Sequence, residues 1–348
     1  MKKFILLGVV GVLVVGGFFA YPYISLYLAS SKSALTVEEG STKDIFIKTG
    51  ADLEWVVNYL DGLGILEDKA KFQEFAEKKS YKGKNIVPGK YVLKGGMNYN
   101  DLINHLRAGN GRVEVQVTFN GCRTIEDMAG KVSKNIEADS AALVHYILSD
   151  SVMNKYGFDE KTIRALFIPN TYQMLWDTDE KEFVQRMAKE WKNYWNAGRT
   201  AKAKKLNLTQ SQVATLASIV REEQSLHEDE WPTIAGVYIN RLNRGMLLQA
   251  DPTVKYCLGD FSIKRIYLKD LEVDCEYNTY KNPGLPPGPL NIPSPKGMDA
   301  VLDFKQTDYI YFCAKADDSG RHAFAVTLAQ HNQNAAKYHA YINKIGVR

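Results

Sequence analysis

The stretch NLTQSQVATLASIVREEQSLHEDE, Asn207 to Glu230, decides how the chain is read. Thr209 is suited to cap a helix, and Gln212, three residues on, to reciprocate in a capping box. On a wheel of about 100° per residue, Val213, Leu216, Ala217 and Val220 share one face and define what packs inward. Five carboxylates follow (Glu222, Glu223, Glu228, Asp229 and Glu230), with one imidazole, His227. Glu223 comes three residues after Val220 and seven after Leu216, at the edge of the apolar stripe. Glu222 lies nearly opposite, and Glu228 to Glu230 read as a solvated turn into the next helix. A carboxyl half-sunk among apolar groups resists ionising, which is what a general acid needs near neutral pH. Glu223 is therefore the candidate acid, and the plain alternative is a helix-end residue bonded to a neighbour.

Working outward, WPTIAGVYINRLNRG reads as a second helix, with Pro232 near its start and Gly245 as its C-cap. MLLQADPTVKYCLGD reads as loop and strand. YNTYKNPGLPPGPLNIPSPKG carries six prolines between Pro283 and Pro295, enough to stiffen one wall of a groove or simply to form turns. Strands YIYFCAK and HAFAVT and a closing helix follow. In the other direction, the strand RVEVQVTF (Arg112 to Phe119) precedes mostly helical sequence from Thr124 to Lys205, broken by a loop at LFIPNTYQM. Residues 44–110 form a small unit of strand, helices, strand and helix, too short to house much chemistry and suited to recognition or spacing. A polar linker, residues 31–43, precedes it. The fold class expected is α+β.

The N-terminus is the compositional outlier. Met1-Lys2-Lys3 is followed by a run with no charged residue from Phe4 to Ser31. A bilayer-spanning helix needs roughly 20 apolar residues, and the run continues past Ala20 through the interfacial aromatics Tyr21 and Tyr23. Residues 1–30 are expected to be a cytoplasmic tip and a single transmembrane anchor, with Lys2 and Lys3 inside and the rest of the chain outside. A cleaved signal peptide would give the same compartment.

With 348 residues, 45% of them hydrophobic, the chain can bury a core of two domains or so beyond the anchor. The net charge of +4 comes from scattered Lys and Arg, which argues against a nucleic-acid partner. Cys122, Cys257, Cys275 and Cys313 show no zinc or redox spacing. Cys257 and Cys275 could pair in an oxidising compartment, and buried free thiols are the other reading. Glu223 and His227 at i, i+4 could ligate a metal, but the H-E-x-x-H pattern and a third ligand are absent. A triad of Ser218, His322 and an aspartate lacks the G-x-S-x-G elbow. His322 and His331, in HAFAVTLAQHNQN, read as structural or substrate-positioning. No cofactor or metal is called for.

The blocks ASIVREEQ, AGVYINRLNRGMLLQADPTVKY, YNTYKNPGLPPGPLNIPS and HAFAVTLAQHN, in that order, resemble the YceG-like family of endolytic murein transglycosylases. The resemblance covers most of the chain: an anchor, a LysM-like module at 44–110 and a catalytic region at 111–348. It gives Glu223 the place of the catalytic glutamate. Arg221 and Gln224 depart from the E-K-E-T-like motif around it, and Arg164, Ala165 and Asn170 depart from an E-G-x-x-x-P-[DE]-T-Y pattern. The implied activity is that of a membrane-anchored lytic transglycosylase that cuts the MurNAc-β-1,4-GlcNAc bond without water and leaves 1,6-anhydro ends. The implied partners are peptidoglycan strands and peptidoglycan synthases. Asn240, Gln249, Asp251, Asn278, Tyr280, His322 and Asn332 are the substrate-contact candidates from the matching blocks. The rival reading is a non-catalytic, anchored peptidoglycan-binding scaffold.

Overall fold

The computed structural model describes residues 32–263 and 265–344. The anchor expected at 1–30 lies outside them, and among the described residues no helix is long and apolar enough to cross a membrane. The described chain is mixed α+β, as expected, with several helices and three two-stranded sheets. It divides into two compact units: the chain through Gln116 with Asn135–Glu137 and Gln173–Thr178, and the remainder.

In the first unit, β1 (Thr42–Ile47) pairs antiparallel with β2 (Gly89–Lys94), Ile45 opposite Tyr91. Between them run α1 (Leu53–Gly62) and α2 (Lys69–Lys78), whose first turns are capped by Asp52 and Asp68. After β2 comes α3 (Tyr99–Arg107), capped by Asn98. The alternation of β1 sends Ile45 and Ile47 inward, where they meet Val56, Leu60, Phe72 and Tyr91 in one core. Within the run read as a polar linker, Ala34 and Leu35 join that core, and Leu35 bridges to Leu66. Two apolar side chains within a polar run suffice to dock it.

β3 (Glu114–Phe119) pairs with β4 (Asn170–Leu175), so the break expected at LFIPNTYQM contains a strand as well as a loop. The second unit holds the helices α4 (Ile125–Val132), α5 (Ser140–Ile147), α6 (Asp150–Tyr156), α7 (Glu180–Tyr194) and α8 (Ala197–Lys205). At its centre is α9 (Gln210–Glu223), which starts at the reciprocal Thr209–Gln212 capping box. Every residue from Val213 to Val220 is buried. The helix is thus covered all round rather than on one stripe, by α10 (Trp231–Asn243), α11 (Asp251–Leu258) and α12 (Pro295–Leu302).

Two details position α10. Pro232 lies in its first turn, and a Cβ on Gly236 would come within 2.5 Å of the Lys305 carbonyl oxygen, so only glycine permits that approach. The segment read as loop and strand after α10 is instead the helix α11, with Pro252 in its first turn and Gly259 closing it at a φ of 67°. β5 (Tyr311–Ala314) and β6 (His322–Ala325) form an antiparallel pair with Ala314 opposite His322. The closing helix α13 (Leu328–Lys344) packs against both.

Candidate active site

Glu223 is the last residue of α9, and Gln224 turns the chain out of the helix with an extended backbone (φ −135°). The buried Gln224 side chain locks that exit. Its Oε1 accepts from the backbone N–H groups of Leu226 and His227, both at 3.1 Å, and its Nε2 donates to Glu230 and to the Gly320 carbonyl, both at 2.9 Å. The carboxyl is therefore delivered at a fixed point, where α9 stops and a cavity of about 430 Å³ begins.

Glu223, Gln249, Asp251, Tyr280 and His322 line this cavity together. Burial pushes Glu223 up to about 7. The Tyr238 hydroxyl, which donates to Glu223 Oε1 at 2.5 Å, works against that rise, and the negative charge of Asp251 adds to it. Near neutral pH the group is poised between acid and base. Tyr238 itself is held well above the ordinary tyrosine range, by burial and by the same carboxyl, so it remains a donor.

Asp251 is occupied differently. It accepts from the Tyr280 hydroxyl at 2.6 Å, and burial together with that bond raises the tyrosine's pKa. The segments carrying these two residues are laced together: Gln249 N–H donates to Thr279 O at 3.1 Å, and Ala250 N–H to Thr279 Oγ1 at 2.9 Å. The disulfide Cys257–Cys275 joins the end of α11 to the approach to Tyr280. Gln249 takes a left-handed backbone (φ 50°), rare without glycine, which turns the chain sharply at the cavity wall. Its Oε1 lies 3.4 Å from Arg241 Nη1.

Three candidates lie elsewhere. Asn240 spends its amide on the carbonyls of Thr307 and Tyr309, at 2.6 and 2.9 Å, and braces the approach to β5. Asn278 is fully buried and donates to Leu271 O and Val273 O, at 2.8 and 2.9 Å. Asn332 is exposed on α13. None of the three lines the cavity, and of the Pro-rich segment only Tyr280 does, the prolines themselves lying elsewhere. That segment is fastened to α9, with Leu290 N–H donating to Ser218 Oγ at 2.9 Å and Asn291 Nδ2 to Glu222 Oε1 at 2.8 Å. Glu222 is thus no solvated acid, and Arg123 also lies 3.3 Å from it. Ser218, wholly buried and bonded to Thr215 O, is not placed to be a nucleophile.

Tyr238 and Arg241 line the cavity without having been singled out in the sequence. Both lie on α10, and only the packing of α10 on α9 would have shown Tyr238 facing Glu223. Arg241 donates to Ile310 O at 2.6 Å and Leu248 O at 2.8 Å, so it shapes the walls. The solvated turn expected at Glu228 to Glu230 is correct for two of its residues, but Glu230 is only 8% exposed. Among the described residues no cluster of three or more His, Cys, Asp or Glu is placed to hold a metal, and His227 Nε2 is bonded to Ser319 O at 2.6 Å.

The YceG-like family model matches residues 45–337. The chain is 29% identical over 341 residues to the endolytic murein transglycosylase of Bacillus subtilis (strain 168), covering 94% of this chain and 91% of that protein. It is 26% identical over 355 residues to the endolytic murein transglycosylase of Streptococcus pneumoniae serotype 2 (strain D39 / NCTC 7466), and there it spans 62% of that protein's length. A crystal structure of a yceG-like protein from Listeria monocytogenes superposes with a TM-score of 0.52 at 25% identity, covering 84% of this chain and 99% of the other.

Proposed function

Because the chain belongs to the YceG-like family, we propose that it is a lytic transglycosylase acting on peptidoglycan, with Glu223 as its catalytic acid and base. The observation that carries this reading is one carboxyl raised to about 7 at the cavity edge, while the other cavity carboxylate, Asp251, is bonded to Tyr280. A hydrolase that activates water or forms a covalent intermediate needs two carboxyls in complementary roles. A lytic transglycosylase needs one. Tyr238 holds Oε1, so Oε2 is left to carry the exchangeable proton.

In the first half-reaction Glu223 protonates the leaving O4 of N-acetylglucosamine as the C1–O4 bond of N-acetylmuramic acid breaks. The resulting carboxylate then takes the proton from the C6 hydroxyl as O6 bonds to C1, giving the 1,6-anhydro end and regenerating the acid without water. Asp251, Gln249, Tyr280 and His322 line the cavity and would contact the sugars in this reading.

The strand–helix–helix–strand order of β1, α1, α2 and β2 supports a LysM-like, glycan-gripping role for residues 44–110. The apolar run within residues 1–30 supports a single membrane anchor. The Cys257–Cys275 bond suits an oxidising, extracytoplasmic compartment. Such a tether would keep the cavity near the membrane where new glycan is laid down, which fits termination of nascent strands beside the synthases.

The test is digestion of purified sacculi with the fragment 31–348, its products read by mass. Anhydro-muramoyl ends from wild type, and their loss in Glu223→Gln, are expected. Wild type leaving no such ends, or Glu223→Gln making as many, would refute the reading. A scaffold would be silent in both, and hydrated reducing ends would indicate a hydrolase.

A further inference from the structure

Behind one ring of the cavity lies a second carboxylate that the reaction does not use. Glu230 sits at the end of the short 3-10 turn Glu228–Glu230. Its neighbours point to solvent, Glu228 towards Lys296 and Asp229 towards Arg321, whereas Glu230 turns inward. Its Oε2 accepts from Gln224 Nε2 at 2.9 Å and lies 2.9 Å from His322 Nδ1. Its Oε1 accepts the His322 backbone N–H at 3.2 Å, with Arg321 Nη1 3.8 Å away. Burial alone would raise this carboxyl, but the bonds from Gln224 and His322 more than offset it, and the group lies below the ordinary glutamate range.

An ionised carboxylate can only accept hydrogen bonds. The proton between the two residues therefore resides on Nδ1, whether the imidazole is neutral or cationic. Phe312 meets the same ring nearly edge-on, at 5.1 Å between centroids and 81° between planes, which sets its tilt. With Nδ1 engaged and the ring lining the cavity, Nε2 is the nitrogen left for a ligand.

We propose that Glu230 is a positioning residue that holds the Nδ1–H tautomer of His322, so that Nε2 meets the glycan as an acceptor for a hydroxyl or an N-acetyl N–H. The glycan in this statement rests on the reading of the cavity given above; the tautomer does not. Carboxylates that orient a metal-ligating imidazole in this way matter by about 10- to 100-fold where they have been removed, which sets the scale to expect for a sugar-facing one. Glu230→Gln is the isosteric probe. The new amide would set a donor against the donors of Gln224 and His322 Nδ1, or against the His322 backbone N–H. In the first orientation the amide N–H faces Nδ1 and drives the ring towards the Nε2–H tautomer, in which Nε2 no longer accepts; in the second the lost backbone bond loosens the ring.

The experiment uses the full chain in detergent, labelled with ¹⁵N-histidine, the His322 signals being identified by their loss in His322→Gln. In its neutral form the wild-type ring is expected to carry its proton on Nδ1 and leave Nε2 bare, and Glu230→Gln to shift that neutral ring towards the opposite tautomer. On sacculi, Glu230→Gln is expected to lose about 10-fold or more in kcat/KM, and the double variant to lose no more than His322→Gln alone. A wild-type ring protonated on Nε2 alone overturns the proposal even if Glu230→Gln does not fold. So does a Glu230→Gln loss that multiplies with that of His322→Gln. If wild type makes no anhydro ends, the glycan reading fails and with it the ligand assigned to Nε2, while the spectrum still decides whether Glu230 sets the ring.

Discussion

The Tyr238 hydroxyl donates to Glu223 Oε1 at 2.5 Å, joining the middle of α10 to the last residue of α9. This bond favours the charged carboxyl and so opposes burial, which favours the neutral one. Tyr238→Phe removes the opposing contribution. The pKa of Glu223 then rises further, and the alkaline limb of the kcat/KM profile, set near 7 in the wild type, moves to higher pH. A bond to a charged group is worth about 1.5–3 kcal/mol, so activity at the optimum is expected to fall roughly 10- to 100-fold. A pH–rate profile with an unmoved limb would count against this assignment.

Glu223 also costs stability. Its folded pKa of about 7 lies above the 4.5 of a free glutamate. The protonated form is thus favoured by folding: its contribution is fully present below pH 4.5 and disappears as pH rises through about 7. Ionisation at pH 8 costs up to about 3 kcal/mol, less to the extent that cavity water screens the group. Glu223→Gln should therefore raise Tm by a few degrees at pH 8 and leave it nearly unchanged at pH 4, measured by calorimetry. Equal shifts at both pH values would show that the carboxyl is not held in its neutral form.

Asn240 separates bracing from catalysis. Its amide serves two carbonyls that lead into β5. Asn240→Ala leaves both without this donor and should lower stability by about 1–3 kcal/mol. At a temperature where the variant remains folded, kcat is expected to stay within about threefold of wild type, a difference under 1 kcal/mol in barrier. A large loss of kcat with unchanged Tm would return Asn240 to the site.

Cys257–Cys275 joins the helix that begins at Asp251 to the segment that leads to Tyr280. Replacing both cysteines with serine frees a loop whose closure is worth about 3 kcal/mol. Tm should drop accordingly, and activity should fall as the Asp251–Tyr280 bond loosens. The same change should follow addition of reductant to wild type and be absent when reductant is added to the double variant.

Much of this site is local in origin, and that part was legible. The capping box at Thr209 starts α9, helical phase separates Glu223 from its neighbours, and a glutamate ends the helix where a cavity can reach it. What could not be read depended on partners far along the chain. Helical phase places Glu222 nearly opposite the apolar stripe, yet it is covered by Asn291, 69 residues on. Glu230 reads as part of a solvated turn, yet it is covered by His322, 92 residues on. Amphipathic phase assumes one dry face, and α9 is dry on all of them. Asparagines are the hardest to place, because one that binds a sugar and one that braces a loop make the same bonds. Asn240 and Asn278 hold carbonyls of their own chain, and no local pattern says so.

The Cys257–Cys275 bond also closes a covalent ring around an exposed stretch that includes Tyr267 and Leu268, 55% and 84% exposed. Chymotrypsin-like proteases favour such aromatic and leucyl positions, so a limited digest should nick the chain there. A chain cut inside the ring would remain one molecule. It would run near full length without reductant and as two fragments with it, and Asp251 and Tyr280 would end on different polypeptides while still facing one another across the same cavity.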